Sequence, residues 1–247
     1  MKILIIADLF PNKTQPYRGV FVYNLAIEMI KQGNEVRVIS PVPWAHILVK
    51  NRSPRWRELS SLPAKTVWKG VPVYYTRYLT SPRDMGFRYY GWSFYLGMKE
   101  TIKDIVNDGF DFDIIHAHVA LPDGFAGMLL GRKYKKPMVV TIHGQDVLSS
   151  IYRSRAIKKA IIRVLDSSQC VITVSNMLKQ EILNIFPMED KIKVVYNGIP
   201  RQYISTGQQT KLYAKDEIEF LSVGALIPRK GHDITIRAFS KIHHVFP

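Results

Sequence analysis

Three short stretches carry side chains whose type and spacing could do chemistry. The first is Asp113–Gly127, DIIHAHVALPDGFAG, in which His116 and His118 interrupt the apolar residues Ile114, Ile115 and Ala117. Leu121-Pro122-Asp123 follows, with a proline near a first helical position and an acid in a first turn, so a helix is predicted to start there. Gly124, Gly127 and Gly131 then fall three and four apart, which places them on one helical face and lets that helix approach a sheet closely. A histidine where a strand runs out beside a helix N-terminus stands where open α/β sheets bind ligands. The second stretch, His143-Gly144-Gln145-Asp146, closes the apolar run Met138–Ile142 in the same manner. The third, Arg229-Lys230-Gly231, is a basic loop ahead of a predicted helix at His232–His244.

The elements that must position these residues alternate. Lys2–Ala7 is a continuous apolar run, as in a central parallel strand covered on both faces. A loop with Pro11, Pro16 and Gly19 leads to a helix at Val20–Gln32, ended by Gly33-Asn34, and to a strand at Glu35–Ser40. Such a βαβ unit implies a right-handed crossover and a parallel sheet. Further strands are predicted at Val71–Tyr78, Met138–Ile142, Cys170–Val174 and Lys193–Tyr196, with helices at Met85–Asn107, Tyr152–Leu165 and Asn176–Ile185. Pro200–Asp216 is polar and aperiodic and reads as a linker, after which Ile218–Gly224 begins a new strand. One strand and one helix cannot bury a core alone. The expected organisation is therefore a domain at 1–199, a linker at 200–216 and the incomplete start of a second domain at 217–247.

Composition removes several classes. The 247 residues are 47% hydrophobic, enough for a proper core. A single cysteine, Cys170 in an apolar strand, excludes a disulfide framework and suits a reducing cytoplasm. Asp8 interrupts the first apolar run too early for a secretory leader, and no run approaches the roughly 20 residues of a transmembrane helix. The first strand runs into Asp8-Leu9-Phe10-Pro11 without G-x-G-x-x-G, which disfavours a dehydrogenase. One glycine against a helix N-terminus, Gly19, still suits a phosphate or sugar lying on backbone N–H groups. Lys230 precedes Gly231 with no Ser or Thr after it, so a Walker A loop is excluded. A net charge of +15 and an isoelectric point near 9.8 ask for an anionic partner. No helix-turn-helix, RNA-binding sheet motif or zinc spacing occurs, so nucleic acid is not the expected one. Pro41–Pro82 interleaves Trp44, Trp56, Trp68, Tyr74, Tyr75 and Tyr78 with Lys50, Arg52, Arg55 and Arg57. That mixture fits a membrane–water interface, stacking on sugar rings or bases, or an ordinary core insertion with solvated basic loops.

Four matches in order along the chain resemble the retaining glycosyltransferases of family 4: RGVFVYNLAIEMIKQGNEVRVIS, then DIIHAHVALPDGFAG with VVTIHGQD, then VITVSNMLKQEI with KVVYNGI, and FLSVGALIPRKGHDITIRAF. The resemblance implies the GT-B fold, with one Rossmann-like parallel sheet carrying helices on both faces and the start of a second Rossmann-like domain. It implies a nucleotide-diphosphate sugar as donor substrate, held between domains, with no cofactor and no required metal. By that resemblance Arg229, Lys230 and Gly19 bind the donor diphosphate, and His118 is the catalytic-site histidine that positions the transferred sugar. His116 is then a packed or supporting residue. His143 and Asp146 match the next strand end as acceptor or cleft residues. Ser175 and Asn197 are cleft-lining candidates that strand-end capping and a turn explain equally well. Two positions depart from the family: Ala225 stands where an Arg often follows the strand-end glycine, and Pro200 where Asp is usual. The family's glutamate pair would lie beyond Pro247, so the chain is expected to be a fragment or a truncated product.

The expected function is transfer of a sugar, with retention, to a lipid-linked or polysaccharide acceptor in cell-surface polysaccharide synthesis. The expected location is the cytoplasm, peripheral on the inner face of the plasma membrane through anionic lipid. The alternative is a catalytically impaired membrane- or acceptor-binding module left by truncation.

Overall fold

The computed structural model describes residues 1–44, 53–81, 85–200, 220–224 and 226–243. The chain divides into two compact units, Met1–Tyr203 and Ile204–Pro247. In chain order the first unit runs β1 (Lys2–Ile6), α1 (Val20–Lys31), β2 (Glu35–Pro43), α2 (Pro54–Ser60), β3 (Lys65–Trp68) and β4 (Val71–Tyr78). It continues with α3 (Tyr90–Asn107), β5 (Ile114–His118), α4 (Phe125–Tyr134), β6 (Met138–Ile142), α5 (Gln145–Leu148), α6 (Arg155–Ser167), β7 (Cys170–Thr173), α7 (Asn176–Leu183) and β8 (Ile192–Val194). The second unit contains α8 (His232–Ile242).

The eight strands form one sheet in the order β3-β4-β2-β1-β5-β6-β7-β8, parallel throughout except for the hairpin partner β3. β1 explains the architecture. Its side chains alternate between two cores: Ile3, Ile5 and Ala7 pack with Val22 and Ala26 of α1, while Leu4 and Ile6 pack with Phe94, Met98 and Ile102 of α3. Both faces are therefore covered, as the unbroken apolar run requires. The fold is α/β with helices on both faces of a parallel sheet. Strands are added outward in opposite directions from β1 and β5, and this reversal of strand order is the switch point at which such sheets open a crevice beyond their carboxyl ends.

The small-residue face of α4 behaves as its spacing predicts. A Cβ on Gly127 would come within 2.9 Å of Met138 Sδ on β6, so the bare backbone is what allows this helix to lie close on the sheet. Several boundaries differ from the sequence expectation. The helix expected from Leu121 begins at Phe125, because Ala120–Gly124 forms a separate wide turn with Leu121 in extended geometry. The helix expected at Met85–Asn107 opens as a 3-10 turn at Phe87–Tyr89 and becomes α-helical from Tyr90. Ser154 caps α6 by accepting the Ile157 N–H, which moves that helix start from Tyr152 to Arg155. The strand expected at Ile218–Gly224 has no counterpart in its described part, 220–224. A ladder needs a neighbouring strand, and none is present among the described residues there. The rest of that segment, the linker 200–216 apart from Pro200, Lys50, Arg52 and Ala225 lie outside the described residues.

Candidate functional site

Chemistry-bearing side chains gather at the carboxyl ends of β1, β5 and β6, around the switch point. β5 ends on His118, whose backbone is paired with Thr141 of β6. The register places His143 two residues further on, and His118 Nδ1 meets His143 Nε2 at 3.0 Å. The two rings are nearly parallel, and His116 stacks on the inner side of His118 with centroids 4.5 Å apart. His116 Nε2 in turn meets the Thr141 hydroxyl at 2.8 Å. Phe21, in the first turn of α1, covers the outer ring, with centroids 4.5 Å apart. The sequence Phe21–His143–His118–His116 thus runs from the half-buried surface into the sheet.

Burial decides the charge state of this stack. Desolvation holds His116 and His143 down to about 4, and it holds His118 well below the ordinary histidine range, with the neighbouring imidazoles adding to the effect. At neutral pH all three are uncharged, so each ring offers one donor and one acceptor. His118 is only 2% exposed, and its Nε2 is shielded and without a hydrogen-bond partner among the described residues. His143 is the half-buried ring of the three, so it is the one nearest to an arriving ligand.

Carboxylates tie the three strand ends together. Asp123 accepts the backbone N–H of Asp8 at 2.8 Å, which joins the β5 turn to the end of β1. Asp8 receives Arg18 Nη2 at 3.0 Å, in a half-buried pair. Asp146 accepts the Ala120 N–H at 3.0 Å and the Leu121 N–H at the long distance of 3.5 Å, which joins the β6 loop to the β5 turn. Burial raises all three carboxyls. For Asp8 the Arg18 guanidinium opposes the rise; for Asp123 the Asp8 carboxylate adds to it, so its carboxyl stands well above the usual range. Asp146 is pushed up to about 7, against the pull of the Leu121 and Ala120 amides. Tyr78 of β4 is raised as well, by burial first and by Asp8 and Tyr90 next, which puts the phenol among these groups.

The expected site residues separate into three sets. His118, His143 and Asp146 come together. Gly19 stands at the N-terminus of α1 with φ 62°, and a Cβ there would lie 2.0 Å from the Leu9 carbonyl oxygen. The glycine is thus required by a backbone-to-backbone approach. Ser175 caps α7, accepting the Leu178 N–H at 3.2 Å, and Asn197 is exposed beyond the edge strand β8, three strands away from β5. In the second unit Arg229 and Lys230 belong to the 3-10 turn Pro228–Lys230 ahead of α8, and the Lys230 side chain is exposed. Residues that sequence reasoning did not select are Asp8, Asp123, Thr141, Phe21 and Val119. An acid closing an apolar strand was a usable signal for Asp8; nothing local distinguishes Asp123 from a first-turn helix acid. Among the described residues no group of three or more His, Cys, Asp or Glu is arranged to hold a metal ion, and no helix is long and apolar enough to cross a membrane.

Comparison with known proteins places this geometry in a sequence family. The pattern described as Glycosyltransferase Family 4 matches residues 19–203. The chain is 28% identical over 238 residues to TuaC of Bacillus subtilis (strain 168), named as a teichuronic acid biosynthesis glycosyltransferase, covering 94% of this chain and 60% of that protein. It is 29% identical over 257 residues to the uncharacterized glycosyltransferase MJ1607 of Methanocaldococcus jannaschii, covering 98% of this chain and 60% of that protein. Among solved structures, Anabaena Alr3699/HepE in complex with UDP aligns with a TM-score of 0.49 at 16% identity, over 82% of this chain and 45% of that one. The chain therefore spans about 60% of the length of the two relatives it matches by sequence.

Proposed function

The chain belongs to glycosyltransferase family 4, and from that premise we propose that it forms the acceptor side of an enzyme moving a sugar from a nucleotide-diphosphate sugar to a lipid-linked or saccharide acceptor, with retention, in cell-surface polysaccharide synthesis. The observation that carries the reading is the cluster of neutral histidines at the switch point of the sheet, His116 stacked on His118 and His118 joined edge to edge with His143. Uncharged imidazoles are poor proton stores at neutral pH but good partners for hydroxyl groups, because each presents one donor and one acceptor. In the proposed reaction the bond from the anomeric carbon to the diphosphate oxygen breaks. A bond to the acceptor hydroxyl oxygen forms on the same face of the ring, and the hydroxyl proton leaves with the diphosphate. His143, held in place by His118, would orient a hydroxyl for that exchange; Arg229 and Lys230 of the second unit are assigned to the departing diphosphate by the family resemblance alone. The polymer class is suggested by the relative named for teichuronic acid biosynthesis.

A membrane-located acceptor fits the surface of α3. Tyr89, Trp92 and Leu96 are exposed at i, i+3 and i+7, with Arg88 stacked on Tyr89 and Arg153 on the nearby Phe87 ring. Tyr and Trp with flanking cations suit the headgroup region of an anionic leaflet. By contrast Tyr74 and Tyr75 of the aromatic segment are core residues.

The test is turnover by the full natural protein with a panel of nucleotide sugars and a membrane lipid extract. Incorporation of labelled sugar into lipid or polymer, abolished by His118→Ala together with His143→Ala, is the expected result. No consumption of any nucleotide sugar would refute the reading.

A further inference from the structure

His118 is followed by a residue that its own side chain disfavours. Val119 has φ 71° and ψ 145°, unlike Lys135, which sits in the ordinary left-handed well at φ 54°, ψ 41°. The Val119 geometry lies toward a region open to glycine and closed to β-branched residues. Backbone held in that way persists only where its surroundings fix it. Two of the fixing contacts are main chain to main chain: Val119 N–H donates to the Thr141 carbonyl at 2.9 Å, and Gly124 N–H donates to the Val119 carbonyl at 3.0 Å. The side-chain contact is Asp146, whose Oδ1 accepts from Ala120 and, at longer range, from Leu121, the two residues after the valine. Asp146 is 2% exposed and makes no ion pair among the described residues. Its carboxyl is turned inward onto the turn, which leaves it unsuited to gripping an acceptor sugar.

We infer that Asp146 is a positioning residue: its buried carboxyl group clamps the Ala120 and Leu121 amides, holds Val119 in its strained turn, and so seats His118 against His143. Only the activity arm of its test rests on the proposed glycosyl transfer; the clamp itself is a property of the folded chain. Three side chains that the sequence separates, at 118, 143 and 146, then act as one unit, with the valine as the loaded element between them. Glycine at 119 would take the same backbone path unaided.

The experiment compares wild type, Asp146→Asn, Asp146→Ala, and Asp146→Ala combined with Val119→Gly, all in the 247-residue chain. Amide exchange and the imidazole NMR signals are read in each. Asp146→Asn keeps an oxygen acceptor and should leave the Ala120 amide protected. Asp146→Ala should speed its exchange by about tenfold or more beyond any change at Leu4 and Ile5, the loss of one buried hydrogen bond. The His118 and His143 signals should move in Asp146→Ala and return when Val119→Gly is added. Unmoved imidazole signals in Asp146→Ala, or no return with Val119→Gly, would overturn the clamp. In the full natural protein, Asp146→Ala should lower kcat by about tenfold or more at unchanged acceptor KM, with Asp146→Asn near wild type. A rise in acceptor KM alone would make Asp146 a substrate contact and refute the positioning role. If no nucleotide sugar is turned over at all, the functional reading fails while the exchange and imidazole measurements still decide the clamp.

Discussion

Replacing Asp146 by Asn converts a buried carboxyl into the isostere of its protonated form, and the pH dependence of stability then reports whether the carboxyl is neutral in the fold. Burial raises this group from 3.8 to about 7. Below pH 3.8 the acid is protonated in both folded and unfolded chains, so it contributes no pH dependence. As pH rises further the unfolded chain ionises while the folded one keeps its proton, so the unfolded state binds fewer protons and stability falls. Wild type should therefore lose stability relative to Asp146→Asn at about 1.4 kcal/mol per pH unit between about pH 4 and pH 7, and level off above. The accumulated difference is about 4 kcal/mol, undiminished by solvent because the group is buried. Urea unfolding of both proteins at half-unit steps from pH 4.5 to 8 measures it; a constant offset from the amide does not matter, since only the slope is used. A flat difference, or one that grows in favour of wild type with rising pH, would mean that Asp146 is an anion held by the Ala120 and Leu121 amides, and the reasoning would fail.

His143→Gln should show the opposite slope. Its imidazole is held down at about 4, so wild type loses stability relative to the variant as pH falls from 6.5 toward 4, by up to about 3 kcal/mol in the same unfolding series. Gly19→Ala forces a methyl onto the Leu9 carbonyl at a left-handed backbone position and should cost about 3 kcal/mol or more, read as a lowered urea midpoint. Vesicle co-sedimentation should require anionic lipid, weaken with salt, and drop in Trp92→Ser with Leu96→Ser and when Arg52, Arg55 and Arg57 are neutralised. Salt-independent binding, or none, would remove the membrane from the proposal.

Much of the scaffold is legible in sequence because parallel strands buried on both faces are written as unbroken apolar runs. KILII, MVVTI and the IIHAH core lie within a residue or two of their reading. The strand-end logic also places His118, His143 and Asp146 at the carboxyl ends of neighbouring strands. What stays hidden is set by non-local register and by main-chain geometry. Asp123 carries the mark of a helix start, yet the chain inserts a five-residue turn before α4 and hands that carboxylate to Asp8. The pairing of His118 with His143 follows from the β5–β6 register, which no local pattern specifies. The short strand β3 escapes notice for a different reason: its residues, KTVW, alternate in burial on an edge and are too few to show a period. The strand expected near residue 220 shows the converse error, since an apolar run alone does not supply a partner.

The bond between Asp8 and Asp123 joins residues 115 positions apart, and this separation sets an order of events during synthesis. At roughly 5–20 residues per second, translation leaves on the order of ten seconds between the emergence of β1 and that of the turn that receives it. The flanking position of β5 beside β1 stays vacant for the same interval, so one ladder edge of a strand that is apolar from Ile3 to Ile6 is open on the nascent chain. Lys2–Ile6 is thus a segment that a ribosome-associated chaperone should cover until β5 emerges.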